Sequence, residues 1–135
     1  MGGGISGAGM RRMADAMLKA LGGETVSLVL PAMAMAGDAA GQLGLVDPGV
    51  QEVFISPVLA RELATGNVGP RRRVEFTLPA SAVVNALPSL GMASGDDLFK
   101  ALIGLNYGNE LFHIEKVVPE SMAGTVCLYV VTAVE

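Results

Sequence analysis

From Glu24 onward the chain is a succession of short segments with apolar side chains at every second position, each closed by proline or glycine. A period of two places side chains alternately on opposite faces, so this pattern demands a sheet rather than a bundle. In residues 24–30 (ETVSLVL), Val26, Leu28 and Leu30 share one face and Thr25, Ser27 and Val29 the other, and Pro31 ends the run. Residues 51–57 (QEVFISP) resume a strand. Residues 71–78 (RRRVEFTL) alternate most cleanly: Arg72, Val74, Phe76 and Leu78 lie on one face, and Arg71, Arg73, Glu75 and Thr77 on the other. Residues 105–107 and 110–118 flank Gly108-Asn109, a pair suited to a two-residue hairpin turn. Residues 119–124 read as a second, looser turn, and Thr125–Val134 as a long β-branched strand, apolar on both faces.

Helical periodicity enters only in places. Met10, Met13, Ala14, Met17, Leu18 and Leu21 follow the i, i+3, i+4, i+7 spacing of one helix face, with Asp15 and Lys19 four apart and Gly22-Gly23 as the stop. A helix over residues 10–21 is too short to be stable alone and must dock on the sheet. Residues 80–87 read as a short helical turn, and Ser94 followed by Asp97 as a capping box opening a helix to Leu102. Residues 1–9 read as a flexible Gly-rich leader before a single domain, 10–135; residues 32–50 form a long Ala/Gly/Met-rich loop, and 64–70 a polar turn. The expected fold is mainly β (β+α): a small antiparallel β-barrel or sandwich of five to six strands, with an N-terminal helix, one short internal helix and a long loop.

Apolar residues make up 51% of the chain and charged residues 16%, well below the usual quarter. Such a surface has too few solvated groups to cover it, so part of it is expected to face a partner or another copy. The net charge of −4 argues against a general nucleic-acid binder. A lone cysteine, Cys127, forms no internal disulfide and points to a reducing compartment. No apolar run is long enough to span a bilayer and the N-terminus lacks a secretory shape, so the cytoplasm is the expected location.

Reactive groups are sparse. His113 is the sole histidine, out of phase with Phe112 and Ile114 on its strand, and Cys127 lies mid-strand between Val126 and Leu128. One histidine and one cysteine do not make a zinc set, Asp96-Asp97 is accounted for by helix capping, and no Gly-Lys-Ser/Thr follows the N-terminal glycines. The reading is therefore of a non-enzyme with no metal and no cofactor. Two features remain as candidate partner contacts: the Arg71-Arg72-Arg73 run, split between two strand faces, and Met33 and Met35 in the long loop.

Three stretches, RRRVEFTLPASAV (71–83), LFKALIGLNYGNELFHIEKVVPE (98–120) and GTVCLYVVTAVE (124–135), carry a resemblance over the C-terminal two-thirds. A strand is followed by a hairpin strand marked by Gly108, Phe112, Ile114 and Val117, then by a closing strand with Tyr129 near its centre and the acid Glu135. This resembles the small head–tail connector (head-closure or joining) proteins of tailed bacteriophages and prophages. The resemblance implies a ring of identical subunits beneath the portal, joining portal or adaptor to tail proteins and helping to close the DNA channel. DNA would pass without sequence-specific binding and without a membrane, in the host cytoplasm during assembly and in the virion neck afterwards. The loop 32–50 would then project into the channel or clasp a neighbour. A tail terminator or tail-completion protein, or a non-viral binding module, is the alternative.

Overall fold

The computed structural model describes residues 7–31, 49–63 and 71–135. Among them the chain folds as α1 (Gly7–Leu21), β1 (Glu24–Pro31), β2 (Val50–Leu63), β3 (Arg73–Pro79), α2 (Ala80–Leu90), α3 (Gly95–Ala101), β4 (Gly104–Tyr107), β5 (Glu110–Met122) and β6 (Thr125–Val134). The six strands close into an antiparallel barrel in the order β1-β2-β3-β6-β5-β4. Two three-strand meanders, β1–β3 and β4–β6, meet edge to edge: β3 pairs with β6 and β1 with β4. Closure pairs the outer strands of the two meanders with each other, which is how a small sheet limits the edge it offers to strangers, although β5 extends beyond the reach of β4.

Alternation decides what fills the barrel. Val26, Leu28 and Leu30 of β1, Val74, Phe76 and Leu78 of β3, and Phe112 of β5 are essentially inaccessible and belong to one core cluster. The lumen is thus packed with side chains rather than open. α2 and α3 link the end of β3 to the start of β4, and their Val83, Leu87, Leu90 and Leu98 join the same cluster as an apolar lid. At the opposite end, Phe76 meets Tyr107 and Phe112 edge-on, with ring centroids 5.2 Å and 5.8 Å apart. Arg72 lies over Phe112, its Cζ 5.6 Å from the ring centroid, and closes that mouth.

Ser94 accepts a hydrogen bond on Oγ from the Asp97 N–H at 3.2 Å, as the capping pattern predicts, and α3 begins there. Other boundaries move. α1 starts at Gly7, so residues 7–9 belong to the helix and not to a leader. β2 continues through Pro57 to Leu63, because Pro57 falls where β2 leaves β1 for β3 and no regular ladder asks for its missing N–H. β5 likewise runs through Pro119 to Met122: β4 covers β5 only as far as Phe112, and beyond it a proline can occupy the uncovered edge. The second turn is therefore not loose but a two-residue link, Ala123-Gly124. α2 extends past Pro88 to Leu90 because Leu87 and Leu90 both enter the core.

The largest correction concerns α1. Its predicted stripe divides: Ala14 and Leu18 are buried and Met10 packs beside them, whereas Met13, Met17 and Leu21 are 56%, 43% and 62% exposed. The helix is rolled so that Arg11 donates through Nε to the Val126 carbonyl at 3.0 Å and Asp15 accepts from Ser81 Oγ at 2.7 Å. Ala14 and Leu18 close over Cys127 and Leu128, which explains why β6 is apolar on both faces.

Candidate interaction surface

The arginine run is divided as alternation requires. Arg72, in phase with Val74 and Phe76, donates to Glu62 at 2.7 Å and Glu110 at 2.6 Å, with Glu135 at 3.9 Å. The hydrogen bond and charge of Glu62, then those of Glu110, hold its guanidinium above the usual pKa despite partial desolvation. Arg73, on the outer face, grips Glu115 with two bonds of 3.1 Å and 3.0 Å. Arg71 is exposed and makes no ion pair among the described residues. Two of the three predicted contact arginines thus already have partners within the chain, and Met33 and Met35 lie outside the described residues. Beside Arg72, Tyr107 is hydrogen-bonded to Glu24, which together with burial raises its phenol above the ordinary 10.0.

Two surfaces that the sequence reading did not single out stand apart on the molecule. On the outer face of β4, β1 and β2, an open cleft of about 370 Å³ is bounded by Thr25, Ser27, Glu52, Phe54, Asn106 and the Gly108-Asn109 turn. The register aligns Phe54, Ser27, Asn106 and Leu111 in one row across four strands. Phe54 is 70% exposed at one end of that row and Leu111 is exposed at the other. In the cleft, the Glu52 carboxylate accepts from Asn106 Nδ2 at 2.7 Å and from Ser27 Oγ at 3.5 Å, but no described cation pairs with it. The signal was present: in QEVFISP the aromatic Phe54 shares the phase of Glu52 and is opposite to Val53 and Ile55, so it points outward.

The second surface is on α1, which lies against β6, β2 and β3 and turns Met13, Met17 and Leu21 to solvent. These recur every four residues, forming a ridge along one side of the helix. Arg12 and Lys19, seven apart and exposed, lie on the other side of the helix's exposed face, across Ala16 and Ala20 from the ridge, and form no ion pair among the described residues.

The residues weighed for chemistry are dispersed. His113 is exposed on β5 opposite Val134, Cys127 is buried beneath α1, and Asp96 pairs with Lys100 at 3.0 Å one helical turn away. Among the described residues no group of three His, Cys, Asp or Glu is placed to hold a metal ion, and no helix is long and apolar enough to cross a membrane. No family model matches the chain, and no curated protein or solved structure matches it.

Proposed function

We propose that this chain is a structural subunit that acts by assembly: a ring-forming virion-neck protein of a tailed phage or prophage, joining portal to tail. The observation that carries the reading is the pair of separate exposed apolar surfaces, Met13, Met17 and Leu21 on α1 and Phe54 and Leu111 on the barrel. Large apolar side chains grouped at the surface of a chain with so few charges are a mark of protein–protein contact.

The packed lumen bears on how such a ring would work. No DNA passes through a six-stranded barrel filled by Phe76, Phe112 and Leu28, so the channel would be the space between subunits. An overall charge of −4 suits a lining that conducts a polyanion without gripping its phosphates.

The test is co-purification with the portal, adaptor and tail proteins of the phage or prophage from which the chain would come, followed by negative-stain microscopy of what is retained. Binding to at least one of them, with ring-shaped density at the junction, is the expected result. Retention by none of them sinks the neck assignment.

A further inference from the structure

The two unpartnered surfaces differ in sign and shape. The exposed face of α1 carries a convex ridge of Met13, Met17 and Leu21 on one side and, across Ala16 and Ala20, the cations Arg12 and Lys19, which have no ion-pair partner among the described residues. The β1–β4 surface is a cleft with the Phe54 ring on its rim and the cation-free Glu52 carboxylate inside. Strand order sets them apart: in the closed ring β1-β2-β3-β6-β5-β4, neither β3 nor β6 is a neighbour of β1 or β4. α1 covers β6, β2 and β3, and the cleft opens over β4, β1 and β2, so β2 is the strand they share.

From this geometry we infer that α1 of one copy seats in the β1–β4 cleft of the next, so that identical chains associate head to tail. The occupant of each surface is a second copy of this chain. Pairing either surface with itself would set Arg12 and Lys19 against their own equivalents, or Glu52 against Glu52, whereas pairing one with the other neutralises both. Because the two surfaces are distinct patches of the chain, a bound pair still presents one free ridge and one free cleft. That is the requirement for a heterologous interface that closes into a ring or extends as a filament. From Met13 to Leu21 the ridge is about 12 Å long at 1.5 Å per residue, enough to lie across two or three strands of the neighbour. The inference rests on the assembly reading above and adds which surfaces meet.

Site-directed cross-linking tests it. A chain carrying Met17→Cys is mixed with one carrying Phe54→Cys, both with Cys127→Ser, and treated with a short bis-maleimide. The mixture is expected to give a cross-linked dimer that neither variant gives alone, and one chain carrying both cysteines a ladder of higher species. Ala20→Cys serves as a second ridge position, and the far-ultraviolet circular dichroism of each variant confirms folding. Independently, Glu52→Lys is expected to weaken self-association by about tenfold or more in sedimentation velocity, and Arg12→Glu with Lys19→Glu in the same chain to restore it.

A dominant homodimer from either single variant, or unchanged association in folded Glu52→Lys, overturns the inference. So does a monomer that never cross-links. Rings that form on a portal without the ridge–cleft cross-link defeat this interface and leave the neck reading standing. Cross-linked oligomers that bind no portal or tail protein do the reverse.

Discussion

At the scale of single residues, the barrel mouth shows what one arginine can hold together. Arg72 draws Glu62, Glu110 and Glu135 around it while its plane covers Phe112. All these side chains are partly exposed, so solvent weakens each pair; the value of the group lies in its being shared. Arg72→Ala leaves three carboxylates facing one another over an uncovered aromatic ring. The expected outcome is a lower melting temperature whose difference from the parent chain narrows in about 1 M salt, as screening removes the repulsion. Arg72→Lys keeps the charge but loses the fork that reaches two acids, and falls between them. Tyr107 makes the same mouth sensitive to alkali. The hydrogen bond to Glu24, then burial and the charge of Glu24, raise its phenol above 10.0, with Arg72 acting in the opposite direction. A raised value means that the folded chain holds the proton more tightly than the unfolded chain. This stabilisation is complete below pH 10 and disappears as pH rises through the higher folded value. Melting temperature is therefore expected to decline from about pH 10 upward, and Tyr107→Phe to flatten that decline. An equally steep profile in the variant would count against the hydrogen bond to Glu24.

At the scale of elements, the two hairpin turns make a comparison within one chain. Gly108 and Asn109 have φ of 58° and 64°, and Ala123 and Gly124 φ of 54° and 76°. Both links therefore bend through left-handed conformations at both positions, the geometry that matches strand twist. Alanine is poorly suited to that region, whereas asparagine tolerates it and Asn-Gly is the favoured pair. Ala123→Asn should stabilise the chain by roughly 0.5–1 kcal/mol, read as a higher denaturant midpoint with an unchanged slope. Gly104 presents the converse: a Cβ there would come within 2.8 Å of both the Phe112 carbonyl and Leu111 Cδ1. The carbonyl belongs to the paired strand and cannot swing aside, so Gly104→Ala should destabilise by about 1–3 kcal/mol.

The same elements show where the sequence was legible. Gly108-Asn109 was readable as a turn because alternating strands flank it on both sides. Ala123-Gly124 was hidden because Pro119 looks like punctuation, although an uncovered strand edge accepts it. Pro57 misled in the same way where β2 changes partners. Burial on β1 was half legible: alternation identified Val26, Leu28 and Leu30, but Ser27 and Val29 are buried too, in a face shared with β4 and β2. On the interaction surface, Arg71–Arg73 attracted notice by charge, yet their partners Glu62, Glu110 and Glu115 come from other strands and no local pattern announces them. The exposure of Met13 and Met17 was hidden for a related reason: periodicity gives a helix an apolar side but not the angle at which it lands on a barrel.

At the scale of the whole molecule, that landing angle separates the protein into two unequal cores. The larger fills the barrel and includes the α2–α3 lid; the smaller lies between α1 and the outside of β6, where Ala14, Leu18, Cys127 and Leu128 meet. Nothing in the larger core requires α1 to be docked, and a surface element held by a few apolar contacts opens more readily than the molecule it rests on. Cys127, buried beneath α1, reports such opening through its reaction with a thiol reagent. Leu18→Ala removes a fully buried side chain from the smaller core and should accelerate labelling of Cys127 on the order of thirty- to a hundredfold, the equivalent of about 2–3 kcal/mol. Leu28→Ala removes an equally buried side chain from the barrel and should lower the melting temperature while leaving native-state labelling almost unchanged. Equal acceleration by both substitutions would mean that helix and barrel open as one unit. A helix able to shift on its barrel while carrying Met13, Met17 and Leu21 on its outer side could adjust to the surface it meets, and capture by that surface would in turn slow the labelling of Cys127.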